Sequence, residues 1–251
     1  MSVYAHYPSL KGRHVFITGG ATGIGASLVE AFAGQGAVVS FIDIAREAGE
    51  ALALRLGGDV EFALCDVTRA DALEAAIGDA AIRRGLIRVL VNNVANDQRR
   101  PASETDVAAW RAGLAVNLDP TFLAARAVQP GMKAAGGGAI INFSSINALL
   151  GPAGLSAYTA AKAAVIGLSK SLAREWGVDG IRVNAVSPGW VVTERQLALW
   201  LTPEAEAAWM EQVALKRRIQ PDDVARLVLF LAADDSALIT GQNLVIDGGR
   251  T

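Results

Sequence analysis

HVFITGGATGIG, residues 14–25, decides the fold. Its first half, His14 to Thr18, is a short run of β-branched and aromatic residues, and its second half, Thr18 to Gly25, is a glycine-rich turn leading into a helical stretch at Ala26 to Ala33. A strand that passes through glycines into a helix leaves unhindered backbone amides at the helix start, where the pyrophosphate of a dinucleotide can sit. Gly19, Thr22, Gly23, Ile24 and Gly25 are therefore candidate cofactor contacts. The pattern is TGxxxGxG rather than GxGxxG, and alone it is as consistent with simple packing. The next strand adds Asp43, 18 residues beyond Gly25, where a carboxylate accepts hydrogen bonds from the adenosine ribose and repels a 2′-phosphate. Thr22 is not basic, so the expected cofactor is NAD in preference to NADP; Arg46 is the nearby cation that argues the other way.

Working outward, further apolar runs lie at Ala37–Asp43, Val60–Asp66 and Ile87–Asn93, then at AIINFSS, IRVNAVSP and NLVIDGG. They are continuously apolar instead of alternating, as strands buried on both faces of a parallel sheet should be. Between them, Asp71–Arg84, Val107–Lys133 and Ala157–Trp176 carry apolar residues at three- and four-residue spacing, which predicts helices. Glycines at 57–58 and 136–138 punctuate helix-to-strand returns. The expected fold is α/β: a single doubly wound Rossmann-type domain over residues 1–251, with a parallel sheet of about seven strands and ligand loops at the strands' C-terminal ends.

Composition removes several function classes. With 23 basic against 25 acidic residues and no dense cationic run, nothing attracts a polyanion, so neither nucleic acid nor an anionic membrane is an expected partner. The longest apolar stretch, about Leu227 to Ala233, is far shorter than a membrane span, and MSVYAHYPSLKGR does not read as a signal peptide. Cys65 has no partner in the chain, which suits a reducing compartment and a cytoplasmic location. Both histidines, His6 and His14, precede the glycine loop, so an α/β-hydrolase triad is excluded by order and a zinc site lacks ligands; no metal is expected.

Tyr158 and Lys162 are four apart on a helical segment and share a face, and Ser145 precedes the tyrosine by 13 residues at a strand's C-terminal end. An unperturbed phenol titrates near 10, too high for a base at neutral pH, but a lysine ammonium and an oxidised nicotinamide both favour the phenolate. The lysine is the lever and the tyrosine the base.

These features, with the pair Asn92-Asn93, Asn117, Tyr158-Thr159-Ala160-Ala161-Lys162, Pro188-Gly189 and the closing Asp247-Gly248-Gly249, resemble the short-chain dehydrogenase/reductase family over essentially the whole chain. The resemblance implies that Lys162 binds the nicotinamide ribose, Asn117 holds a proton-relaying water and Ser145 hydrogen-bonds the substrate oxygen. It also implies cofactor contacts from Asp66 and Val67 to adenine, from Asn93 to ribose, and from Pro188, Val191 and Thr193 around the carboxamide, and a homotetramer built on the helices bearing Asn117 and Tyr158. One departure stands out: Asn92-Asn93-Val94-Ala95 replaces the family's usual Asn-Asn-Ala-Gly.

YPSLKGR, Asn96-Asp97-Gln98-Arg99, QPGMKAAGGGAIINFSS, WLTPEAEA and LKRRIQPDDVA look like bacterial sugar dehydrogenases acting on D-xylose and related aldoses. That resemblance implies oxidation of a cyclic aldose at C1 to a lactone. A polyol exchanges water hydrogen bonds for protein ones, so Asn96, Asp97, Gln98, Arg99, Asn147 and Gln196 are candidate substrate contacts with Ser145 and Tyr158. Trp190 could cover the sugar's apolar face, within a lid at about residues 190–218, and Trp200 and Trp209, nine apart on a helical segment, read as lid anchors. Two alternatives stay open: an NAD(P)H-dependent ketone or 3-oxoacyl reductase, for which Arg217-Arg218 is a thin basic patch, and a non-catalytic nicotinamide-binding sensor.

Overall fold

The computed structural model describes residues 5–251; residues 1–4, where the stretch read as lacking a leader begins, lie outside the described residues. Strands and helices alternate: β1 (His14–Thr18), α1 (Gly23–Gly34), β2 (Val38–Asp43), α2 (Arg46–Leu56), β3 (Val60–Leu64), α3 (Ala70–Arg84), β4 (Val89–Asn92), α4 (Val107–Asn117), α5 (Asp119–Ala134), β5 (Gly138–Phe143), α6 (Asn147–Leu150), α7 (Ser156–Trp176), β6 (Ile181–Pro188), α8 (Glu194–Leu199), α9 (Pro203–Gln212), α10 (Pro221–Ala232) and β7 (Asn243–Ile246). The seven strands form one parallel sheet in the order β3-β2-β1-β4-β5-β6-β7. The order reverses between β1 and β4, so the crevice outside their C-terminal ends is where an open α/β sheet binds ligands.

The apolar runs cover two cores. Along β1, Val15 and Ile17 face Leu28, Val29 and Phe32 of α1 and Val224, Val228 and Leu229 of α10. Phe16 between them faces the other way, toward Leu73 and Ile77 of α3, Val128 and Met132 of α5 and Leu172 of α7. Adjacent strand side chains point to opposite faces, and both faces are roofed by helices. The inner strands are almost wholly buried, whereas Leu64 of edge strand β3 is 47% exposed and Val245 of edge strand β7 is 41% exposed, because each edge strand has a neighbour on one side only.

The stretch expected as one helix from Val107 to Lys133 is two. Leu118 leaves helical geometry (φ −127°, ψ −56°) and Pro120, which has no N–H to donate, opens the next helix. The segment holding Trp200 and Trp209 is likewise broken: Thr202 caps α9 by accepting the Ala205 amide (3.2 Å), and Pro203 supplies its first turn. Cys65 is buried and unpaired. His14 sits at the far end of β1 from the crevice, bonded to Gly85 O (2.7 Å) and Ser40 Oγ (2.9 Å), and burial holds its pKa down. No described helix is long and apolar enough to cross a membrane.

Candidate active site

The glycine loop is built by close approach. Gly19 has φ +68°, and a Cβ there would lie 2.9 Å from Val94 Cγ2; a Cβ on Gly25 would lie 1.8 Å from the Gly19 carbonyl oxygen. Val94, the departure from Asn-Asn-Ala-Gly, thus packs its methyl directly onto the loop. The Gly19 and Gly20 amides donate to Ile42 O (2.8 and 3.1 Å), which hooks the turn to the end of β2. Thr22 occupies the N-cap position of α1 without making a side-chain cap, so the first amides of a 12-residue helix, at Gly23, Ile24 and Gly25, lack that side-chain partner and face the crevice. This cradle fits a dinucleotide's diphosphate.

Asp43 ends β2 beside the loop, where its Oδ2 accepts the Ala21 amide (2.9 Å) and its Oδ1 the Ala45 amide (3.0 Å). A carboxylate has about four lone-pair sites, so each oxygen keeps one for a ribose hydroxyl. Arg46 turns away to Glu50 (3.2 Å). Asp66 is exposed and closes a turn on Thr68, whose amide and hydroxyl (2.9 and 2.7 Å) hold its carboxyl below the usual range; Val67 is buried next to it. Asn93 spends its amide group on Thr18 O and Gly19 O (3.3 and 2.8 Å), leaving its carbonyl oxygen free.

Ser145, Tyr158 and Lys162 line one cleft of about 410 Å³ together with Asn93, Pro188, Val191 and Thr193. Lys162 is 1% exposed; its Nζ donates to Phe143 O (2.8 Å) and lies 5.8 Å from the centroid of the Tyr158 ring. Two of its three N–H donors remain for a ligand. Burial away from any carboxylate lowers its pKa to about 8. The Tyr158 ring is partly exposed to the cleft and its hydroxyl lies deep, where burial pushes the pKa up to about 12; a hydrogen bond with Ser145 works against that shift and the charge of Asp97 adds to it. The lysine alone therefore does not make this phenol a base. Ser145 Oγ accepts the Asn147 amide (3.1 Å), so its hydroxyl proton is not needed for that bond and can be directed at Tyr158 or a substrate oxygen.

Asn117 is buried and ties its side chain to the loop after β4: Oδ1 accepts the Asn96 amide (2.9 Å), and Nδ2 donates to Asn96 O (3.0 Å) and Gly113 O (2.9 Å). A water held by this side chain has only the remaining Oδ1 lone pair to bind. Of the substrate contacts expected from sequence, Asp97, Arg99, Asn147, Trp190 and Gln196 line the cleft with Ser145 and Tyr158. Asn96 and Gln98 do not; they border a second cavity of about 290 Å³ between α4 and the start of α7. Asn96 Oδ1 instead accepts the Gln98 amide (3.2 Å) in a local turn.

The cleft also holds residues that the sequence did not put there. Trp209 meets Trp190 edge-on (5.8 Å, 81°), and the Arg250 guanidinium lies 5.7 Å from the Trp209 ring. Arg250 follows Asp247, whose carboxylate gathers the amides of Gly249 and Thr251 (both 2.8 Å). Only the reading of Trp209 as an anchor hinted at this wall, and nothing in the sequence pointed to Arg250. Arg217 and Arg218, read as a thin basic patch, are each paired, with Asp223 and Glu206.

A family model described as enoyl-(acyl carrier protein) reductase matches residues 19–251. The chain is 47% identical over 249 residues (98% of this chain, 97% of the relative) to a protein named probable galactose dehydrogenase from Rhizobium meliloti (strain 1021). It is 47% identical over 248 residues (98% of each chain) to a D-xylose 1-dehydrogenase from Caulobacter vibrioides. Among solved structures, a double mutant of a short-chain dehydrogenase/reductase from Serratia marcescens superposes with a TM-score of 0.90 at 33% identity, covering 96% of this chain and 99% of that one.

Proposed function

Because the chain belongs to the short-chain dehydrogenase/reductase family, and so is a nicotinamide-dependent oxidoreductase acting on CH–OH groups, we propose that it oxidises a cyclic aldose at C1 to the lactone, with NAD as cofactor. The observation that carries the reading is the convergence of Ser145 and Lys162 on Tyr158 in a cleft walled by two tryptophans. The two relatives at 47% identity, named for galactose and D-xylose, support the choice of sugar.

Gly19, Thr22, Gly23, Ile24 and Gly25 hold the diphosphate, Asp43 the adenosine ribose, Asp66 and Val67 the adenine, Asn93 and Lys162 the nicotinamide ribose, and Pro188, Val191 and Thr193 the carboxamide end. Bound there, NAD supplies the acceptor for the hydride that leaves C1. Tyr158 takes the C1 hydroxyl proton as the C1=O bond forms, Ser145 donates to that oxygen, and Lys162 stabilises the phenolate. Asn117 braces the β4 loop, and Asn147 and Trp190 shape the sugar site. Under this reading residues 1–251 form one domain with a lid at about 190–218. The enzyme works in the cytoplasm as a homotetramer, for which the half-exposed Trp110 and Phe122 on α4 and α5 offer an apolar contact face.

Two measurements test it. Initial rates on a panel of aldoses, with a simple secondary alcohol as control, are expected to show turnover of one or two sugars with NAD; silence on every sugar alongside activity on ketones would discard the substrate. Asp43→Ala is expected to cut the ratio of kcat/KM with NAD to that with NADP by about tenfold, the equivalent of ~1.4 kcal/mol. An unchanged ratio removes Asp43 from cofactor selection.

A further inference from the structure

We propose that Asp97 is a positioning residue with two roles at the substrate site: through Gln196 it seats Trp190 in the wall, and through its pairing with Arg195 it sets the ease with which Tyr158 gives up its proton. The inference rests on the reading of Tyr158 as the base. Asp97 lies on the loop after β4, which Asn117 fixes by its paired bonds to Asn96. From there it reaches α8, nearly a hundred residues away in sequence. Its Oδ1 accepts from Arg195 Nη2 (3.0 Å) and its Oδ2 from Gln196 Nε2 (2.9 Å), while Gln196 Oε1 accepts from Trp190 Nε1 (2.7 Å). Both carboxylate oxygens thus serve the protein, and the indole that faces the substrate is held by a chain of bonds ending on a braced loop.

The second role is electrostatic. The charged groups lining the cleft around Tyr158 are Asp97 and Arg99 from the β4 loop, Lys162 from α7, Arg195 from α8 and Arg250 after β7. Asp97 is the one carboxylate among these described residues. A bare carboxylate in a cleft favours the neutral phenol, and a cation against it cancels most of that field. Pairing Arg195 with Asp97 therefore eases ionisation of the base, while Gln196 on the other carboxylate oxygen holds the wall. The pair is partly exposed (54% and 21% for the two side chains), so solvent limits the size of the effect.

The test is the pH profile of kcat/KM for the sugar at saturating NAD. Arg195→Met, which bares the carboxylate, is expected to move the rise of activity to higher pH by about half a unit, and Asp97→Asn to move it the opposite way. Arg195→Lys restores the original position. Gln196→Leu, which cuts the link to Trp190 without changing charge, raises KM several-fold and leaves the pH of the rise where it was. Opposite shifts with a charge-independent KM effect establish both roles. Shifts of the same sign, no shift in either charge variant, or an unchanged KM in Gln196→Leu overturn it. Full activity in Tyr158→Phe would instead overturn the underlying assignment of the base, so the two failures are distinguishable.

Discussion

Tyr158→Phe is expected to lower kcat roughly 10²–10⁴-fold, the range that a single proton-transfer group contributes, while cofactor affinity stays within about twofold. The substitution removes one oxygen from a ring already accommodated in the cleft, so the fold and the dinucleotide cradle are untouched. Chemistry is lost because no other described group is placed to take Tyr158's part: Arg99, Arg195 and Arg250 cannot be deprotonated, Asp97 is ion-paired with Arg195, and Lys162 is turned to Phe143 O. Initial rates and a cofactor-fluorescence titration read the two quantities separately. In the protein without ligand the phenol is held at about 12, so activity should climb with pH as the tyrosine ionises under the added positive charge of the oxidised nicotinamide. A rate insensitive to the substitution sinks the mechanism.

Lys162→Met is expected to abolish turnover and yet raise thermal stability. The ammonium is 1% exposed with a single hydrogen bond, to Phe143 O, and no facing carboxylate. Its depression from 10.5 to about 8 corresponds to roughly 3 kcal/mol at about 1.4 kcal/mol per unit. Part of that is returned when Phe143 O loses its donor, a cost of about 1–3 kcal/mol, so the net gain is on the order of 1 kcal/mol and Tm rises by a few degrees. The sign follows from which state loses its proton first. Below pH 8 the lysine is charged in both states and the folded one carries the penalty. Between about 8 and 10.5 the folded protein deprotonates first, so wild-type stability rises with pH across that window. In Lys162→Met the rise disappears. The phenol acts oppositely and later, since its folded value of about 12 lies above the ordinary 10 and costs stability only beyond pH 10. A variant that melts lower than wild type at neutral pH contradicts this account.

Much of this was legible before any coordinates. The strand runs at His14–Thr18 and Ile181–Pro188 match their observed bounds, because an inner parallel strand is predominantly apolar and glycine or proline marks its end. The constellation of Ser145, Tyr158 and Lys162 was legible because helical spacing and strand ends are local properties. What escaped was non-local. The break at Leu118 falls at Pro120, whereas Pro130 in the same helical pattern leaves α5 unbroken. Asn96 and Gln98 were grouped with the cleft for their polarity, yet a local turn and the bonds to Asn117 place them at another cavity. Arg250 and Trp209 reach the cleft through tertiary packing that no sequence period encodes. The tyrosine's raised pKa depends on how deeply its oxygen is buried, which spacing to a lysine does not reveal.

The interlocked turn of residues 19–25 also constrains any attempt to redesign the protein. Replacing glycine by alanine is a common route to heat resistance, because it narrows the ensemble of the unfolded chain. Here that route is closed: the added methyl meets the Gly19 carbonyl oxygen at position 25 and the Val94 side chain at position 19, where the backbone is also left-handed. A directed-evolution library should leave these codons fixed and place its diversity on helix surfaces such as Gly78 of α3, where a methyl group meets open space.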